Sequence, residues 1–261
     1  MISKTRLKNI LALKHKKFRN EQKLFLIEGY RLCQEAIRSD FSVETLLINS
    51  NILSRQKLDE IIQLAKTKQV EVVEIQETEV NRLAGTDNSQ GIFCIVKQRE
   101  DRLEFILNHT NRFLVIIDRG QDPGNVGTII RTCDWFGIDG VFLSKGTVEL
   151  FNSKVVRSTV GSIFHIPIFE DVDLELLFPR LKQLGYHLFA ADINGEYLYH
   201  HVDYQIPMAL VIGNENKGIS KNFAGYFDKT IKIPSYGKAE SLNMALAAAI
   251  MMSRMVNSIK E

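Results

Sequence analysis

The chain is 261 residues long, 45% hydrophobic and 25% charged, with a formal net charge of +2. That composition belongs to a folded globular protein of one large or two smaller domains, and disorder is not the default reading. Met1 to Lys17 is basic without an apolar core, and the apolar run Met244 to Met252 is too short to span a bilayer, so the sequence predicts a cytoplasmic protein with no membrane partner.

The first 23 residues carry Lys4, Arg6, Lys8, Lys14, Lys16, Lys17, Arg19 and Lys23 against the single acid Glu21. Concentrated charge of this kind either neutralises the phosphates of a polyanion or forms a solvated helical face. Leu7, Ile10, Leu11 and the stem of Lys14 recur at helical spacing, which predicts a basic helix with a packing face. A strand over Leu24 to Ile27, a helix over Tyr30 to Ile37, a strand over Val43 to Ile48, a helix over Arg55 to Ala65 and strands over Val70 to Ile75 and Gly91 to Val96 follow. This alternation predicts a small α/β domain. Lys97 to Arg112 interrupts the pattern with mixed charges and is the expected linker, placing the boundary near residue 105 and the domains at 1–105 and 106–261.

The second half repeats strand and helix with nearly continuous apolar strands: Phe113 to Ile117, Val141 to Leu143, His187 to Ala191, Met208 to Ile212 and Thr230 to Ile233. Such strands are buried on both faces of a parallel sheet. Helices are predicted over Val126 to Phe136, Lys154 to Val160, Leu174 to Leu184 and Leu242 to Val256. Cys33, Cys94 and Cys133 lie far apart without Cys-x-x-Cys spacing and read as reduced, packed thiols. Adjacent His200 and His201 do not face one ligand, so no metal is expected.

In open parallel sheets, ligands collect at the carboxyl ends of strands. The loop from Asp118 to Arg131 enters a helix carrying Asn125 and Arg131. It reads either as a phosphate cradle at a helix start or as a tight turn with a cap, and it lacks both the dinucleotide and the P-loop glycine patterns. The loop Ile212 to Gly218 carries glycines around Glu215, which reads either as a catalytic carboxylate or as a structural acceptor of hydrogen bonds from a helix or from Arg131. In the stretch Ile231 to Ile250, Ser241 reads as a helix N-cap, and Asn243 as an amide free to face a ligand.

Together these loops resemble the SpoU/TrmH family of ribose 2′-O-methyltransferases, within the SPOUT superfamily. Asn125, Gly127 and Arg131 match its first motif. Gly213, Asn214, Glu215 and Gly218 match the second, and Pro234, Ser241, Leu242 and Asn243 the third. Phe25-Leu-Ile-Glu-Gly29 and Gln90-Gly91 are similar to its substrate-binding domain, so the likeness covers essentially the whole chain. Met244 and Ala245 depart from the usual Val-Ser and remove one hydroxyl.

The resemblance implies a deep trefoil knot in the carboxyl-terminal domain, a feature general folding rules would reject. It also implies S-adenosylmethionine held around Ala191, Gly213, Asn214, Gly218, Ile233 and Leu242, and a homodimer. The expected catalytic set is Asn125, Arg131, Glu215, Ser241 and Asn243. Arg131 would bind the target phosphate or ribose, Asn125 and Asn243 would orient the nucleotide, and Glu215 would fix the arginine. The RNA would be ribosomal by analogy with members carrying a similar amino-terminal domain, held by Lys4, Arg6, Lys8, Lys14, Lys16, Lys17 and Arg19. A tRNA substrate, a non-catalytic RNA-binding factor and a nicotinamide enzyme are the alternatives; the last is disfavoured by the missing glycine fingerprint.

Overall fold

The computed structural model of the chain describes residues 2–99, 103–107 and 112–260. Two compact units emerge, one formed by Met1–Arg99 with Phe151–His165, the other by Glu100–Leu150 with Ile166–Glu261. The stretch 151–165 therefore packs with the amino-terminal half, which a single boundary near 105 does not provide for. Residues 100–102 and 108–111 of the expected linker lie outside the described residues, and Leu103–Leu107 between them is the short helix α6.

In the first unit the basic opening forms two helices, α1 (Lys4–Ala12) and α2 (Lys16–Gln22), not one. Ser3 caps α1 by accepting the Arg6 N–H at 3.1 Å. The break falls where Leu13 is buried and the Lys14 ammonium donates to the carbonyls of Arg82 and Ala84. The sheet runs in the order β1 (Leu24–Glu28), β4 (Ile92–Lys97), β2 (Val43–Ile48), β3 (Glu71–Glu74), with β2 and β3 parallel and the other pairs antiparallel. Helices α3 (Tyr30–Arg38), α4 (Arg55–Thr67) and α5 (Glu77–Leu83) complete this half. The sequence reading missed α5, although Gln76 and Glu79 form a reciprocal capping box there. Helix α8 (Ser153–Thr159) and a 3-10 turn at Ser162–Phe164 come from the later chain. Phe151 meets Phe25 at 4.6 Å between ring centroids, and Phe164 meets Phe41 at 5.1 Å, so aromatic packing ties this stretch to the first unit.

The second unit is a seven-stranded sheet in the order β7 (Ile168–Val172), β6 (Gly140–Ser144), β5 (Phe113–Ile117), β10 (Met208–Ile212), β8 (His187–Ala191), β11 (Lys229–Lys232), β9 (Tyr197–Leu198). Every pairing is parallel. As the apolar runs predict, β5, β6 and β10 are buried along their whole length. Phe178 of α9 (Leu174–Gln183) packs with Leu114, Ile116 and Val211 in one core cluster. Helix α7 (Pro123–Phe136) packs on α10 (Met244–Lys260), where the Cys133 and Met252 sulfurs are 3.7 Å apart in the interior. Gly137 ends α7 in the left-handed conformation, φ 69, that favours glycine.

Strand order reverses between β5, from which β6 and β7 extend one way, and β10, from which β8, β11 and β9 extend the other. A ligand crevice opens at such a switch point, beyond the carboxyl ends of the strands.

Candidate active site

The loop leaving β5 is fixed by Asp118, whose side chain is 3% exposed. Its carboxylate accepts Arg119 Nε and Nη2, both at 3.0 Å, and the backbone N–H of Ser220 at 3.0 Å. Arg119 adopts φ 54 and donates its N–H to Ser144 Oγ at 2.8 Å. A left-handed non-glycine residue is held this way only when its surroundings determine it. Asp118 thus joins the ends of β5, β6 and β10, a role the sequence reading missed although an aspartate directly ending an apolar strand was a signal. Beyond it, Asp122 caps α7 by accepting the Asn125 N–H at 2.7 Å, with Pro123 opening the helix.

The loop leaving β10 folds back on itself. An added Cβ on Gly213 would fall 2.3 Å from the backbone of Gly218 and Ile219, so only glycine permits this turn. Asn214 and Gly218 exchange backbone hydrogen bonds at 3.1 and 2.9 Å. The Asn214 side chain accepts the N–H groups of Asn216 and Lys217 and donates to the Arg119 carbonyl at 2.8 Å. Asn214 and Gly218 therefore build the turn itself.

Glu215 projects from this turn to the α7 entrance. It accepts the N–H of Gln121 at 3.3 Å, the N–H of Asp122 at 3.2 Å and the Asn125 amide at 3.3 Å. Burial pushes its carboxyl up, but hydrogen bonds from its own backbone, Asn125, Asp122 and Gln121 outweigh burial and hold it below the ordinary carboxylate range. The expected pairing of Glu215 with Arg131 is not formed. Orphan N–H groups before a helix and an asparagine amide claim the carboxylate first. Arg131 lies about 9 Å further along α7 than Asn125, exposed, its guanidinium making no hydrogen bond or ion pair among the described residues.

The third loop corrects the expected cap. Helix α10 starts at Met244, and Asn243 caps it by accepting the N–H groups of Ala245 at 2.9 Å and Leu246 at 3.2 Å. Ser241 lies outside the helix, exposed and without a hydrogen bond among the described residues. Because the cap uses only the oxygen of Asn243, its nitrogen is left to donate to Asn125 Oδ1 at 2.9 Å. Asn243, Asn125 and Glu215 thereby form one hydrogen-bonded chain linking all three loops. Met244 and Ala245 are buried, and the Met244 methyl packs near Gly120.

Ala191, Ile212 and Ile231 are in register across adjacent β8, β10 and β11, which places the backbone around Ala191, Gly213 and Ile233 at one edge. From Ser235 to Leu242 the backbone N–H groups make no hydrogen bond to other backbone among the described residues, and Leu242 is 49% exposed. Free backbone groups beside an exposed leucine suit a nucleoside-like ligand such as S-adenosylmethionine, recognised by main chain and an apolar face. Among the described residues no group of three His, Cys, Asp or Glu side chains is placed to hold a metal.

The basic residues of the opening separate into two sets. Arg6 bonds Glu71 and Thr45, Lys14 is committed to two carbonyls, and Arg19, 5% exposed, donates to the Leu13 carbonyl. Arg19 is a packing residue, not one offered to a ligand. Lys4, Lys8, Lys16 and Lys17 remain exposed.

Known proteins resemble this chain over both of its halves. The SpoU rRNA Methylase family matches residues 112–253, and the MRM3-like substrate binding domain matches residues 4–94. The 23S rRNA (guanosine(2553)-2′-O)-methyltransferase RlmP of Bacillus subtilis is 34% identical over 247 residues, covering 95% of this chain and 94% of its own. The AdoMet-bound rRNA methyltransferase of Sinorhizobium meliloti superposes with a TM-score of 0.87 at 31% identity, covering 98% of this chain and 97% of the other. The SpoU methyltransferase AviRb of Streptomyces viridochromogenes, solved with AdoMet, superposes at 0.89 with 26% identity and 99% of each chain covered. The chain belongs to the SpoU rRNA Methylase family, and it is an S-adenosylmethionine-dependent RNA methyltransferase.

Proposed function

We propose that the protein methylates a ribose 2′-hydroxyl of ribosomal RNA, working in the cytoplasm as a homodimer. The observation that carries this reading is the chain Asn243–Asn125–Glu215 at the switch point of the parallel sheet, with the unpartnered Arg131 on the same helix as Asn125. S-adenosylmethionine supplies an electrophilic methyl group when bound, and Ala191, Gly213, Ile233 and Leu242 are the residues that would hold it.

A ribose hydroxyl is a poor nucleophile while protonated, so the protein must position it and stabilise the charge that develops on it. Arg131 binds the target phosphate or ribose and supplies that stabilisation. It is no proton acceptor, because a guanidinium stays protonated. Glu215 is a poor one too, since its oxygens are occupied and its carboxyl is held low. The proton therefore leaves to phosphate or water. Asn125 keeps one lone pair and Asn243 one N–H for the nucleotide, and Glu215 fixes the Asn125 amide. Ser241 is close by in sequence and offers a free hydroxyl.

Lys4, Lys8, Lys16 and Lys17 provide the sequence-independent attraction to phosphates. A second copy of the chain covers the apolar surface of the packed helices α7 and α10, where Trp135 is 84%, Leu246 58% and Ile250 37% exposed. The trefoil knot implied by the family resemblance belongs to the same reading. Among the described residues no helix is long and apolar enough to cross a membrane. Comparing ribose methylation in ribosomal RNA from cells with and without the gene tests the proposal: one 2′-O-methyl group should vanish, and an unchanged pattern would contradict it.

A further inference from the structure

Within the first unit, a cleft of about 410 Å³ opens between the end of β1 and the loop 85–90, and Arg157 of α8 forms part of its wall. Arg157 also lines a neighbouring cavity of about 150 Å³. Its side chain is half-buried, yet its guanidinium makes no hydrogen bond or ion pair among the described residues. A partly desolvated arginine without a partner is costly unless a ligand anion completes it.

The rest of the cleft is held open by its own bonding. Both Glu28 oxygens are committed, one to the Gly85 N–H at 2.8 Å and the other to the Thr86 hydroxyl at 3.0 Å, so the carboxylate fastens the loop; it keeps its charge but makes no ion pair with Arg157 among the described residues. A Cβ at Gly85 would fall 2.8 Å from Arg157 Nη1; glycine there lets the guanidinium lie against the loop. Gln90 uses its oxygen to cap the Tyr30 N–H at 2.8 Å, leaving its nitrogen free. Asn88 is exposed and its side chain makes no bond among the described residues. Asp87, on the cleft's wall, is exposed to solvent. Beside it the cleft offers one cation for a phosphate and two amides, each able to donate to a base edge, in a volume that suits a single nucleotide.

We infer that this cleft holds one unpaired nucleotide of the RNA substrate, with Arg157 on its phosphate and Asn88 and Gln90 on its base. The inference rests on the RNA-methylating role proposed above and assigns a recognition subsite in the amino-terminal unit, separate from the exposed lysines of α1 and α2. Unpaired nucleotides are what proteins read in RNA, because only there are the base edges open.

The test is equilibrium binding of unmethylated ribosomal RNA to the full-length protein and to Arg157→Gln, Arg157→Lys and Asn88→Ala, over a range of salt. S-adenosylmethionine affinity and thermal midpoint serve as folding controls. Arg157→Gln should weaken RNA binding about tenfold, and the slope of log K against log salt should fall by about 0.7, the value for one phosphate of a single strand. Arg157→Lys should restore most of the slope, and Asn88→Ala should weaken binding without changing it. RNA affinity and slope within twofold of wild type in all three variants would overturn the cleft assignment and leave the methyltransferase reading intact. A wild-type protein that binds S-adenosylmethionine but not ribosomal RNA would overturn both.

Discussion

The Asn243 amide donates to Asn125 Oδ1 at 2.9 Å across 118 residues of chain, while the Asn243 oxygen caps the helix behind it. One side chain thus anchors a helix and sets the orientation of the amide that Glu215 holds from the other side.

Asn243→Ala should accordingly fail in two measurable ways. Loss of the N-cap costs about 1 kcal/mol of stability, seen in denaturant unfolding. Release of Asn125 should lower methyl transfer by at least about tenfold, equivalent to ~1.4 kcal/mol, with S-adenosylmethionine still bound. Asn125→Ala should reproduce the kinetic loss with a smaller loss of stability, because the Asn243 cap remains.

Glu215 sets a pH dependence whose sign follows from its lowered carboxyl. A group held lower in the folded state contributes stability in full above its unfolded value, near 4.3. That contribution disappears as pH falls through the lower folded value. The stability gap between wild type and Glu215→Gln should therefore be constant above about pH 5 and shrink in more acid solution. Unfolding midpoints from pH 3 to 8 check this, and a gap that widens on acidification would contradict it.

Arg131 has no structural bond among the described residues, so Arg131→Ala should abolish methylation while leaving the melting temperature and S-adenosylmethionine affinity near wild type. Arg131→Lys should recover little, because an ammonium cannot reproduce the guanidinium fork. Full activity in Arg131→Ala would remove the arginine from the mechanism.

Trp135 is the single tryptophan and is 84% exposed. If a second copy covers it, its fluorescence should be blue-shifted at micromolar concentration and shift red on dilution. Trp135→Glu with Leu246→Glu should sediment as a monomer. Red-shifted emission at every concentration would place the dimer contact elsewhere.

Much of this arrangement was legible in the sequence because the strands of the second unit are buried on both faces and read as unbroken apolar runs. The elements that were missed carry mixed signals. In β7, Glu170 and Asp171 are exposed while Ile168 and Phe169 are buried, as on an edge strand. β9 has only two residues. Residue identity showed that Asn125, Glu215 and Asn243 carry chemistry but not how they pair. For Glu215 the sequence leaves a helix and Arg131 as alternative partners, and the fold settles on the first, bringing uncapped N–H groups of the α7 entrance and an amide to the carboxylate. Ser241 looked like the cap because serine is a good one, but the chain enters the helix two residues later, at Asn243. Nor could the sequence show that Arg19 turns inward, or that residues 151–165 pack with the amino-terminal unit.

The most direct test of the central claim is to incubate the purified protein with unmethylated ribosomal RNA and methyl-labelled S-adenosylmethionine, digest the RNA to nucleosides and locate the label by mass spectrometry. The account predicts a single nucleoside carrying the label on its ribose 2′-oxygen, absent with Arg131→Ala. Label on a base, or none transferred by the wild-type protein, would contradict it.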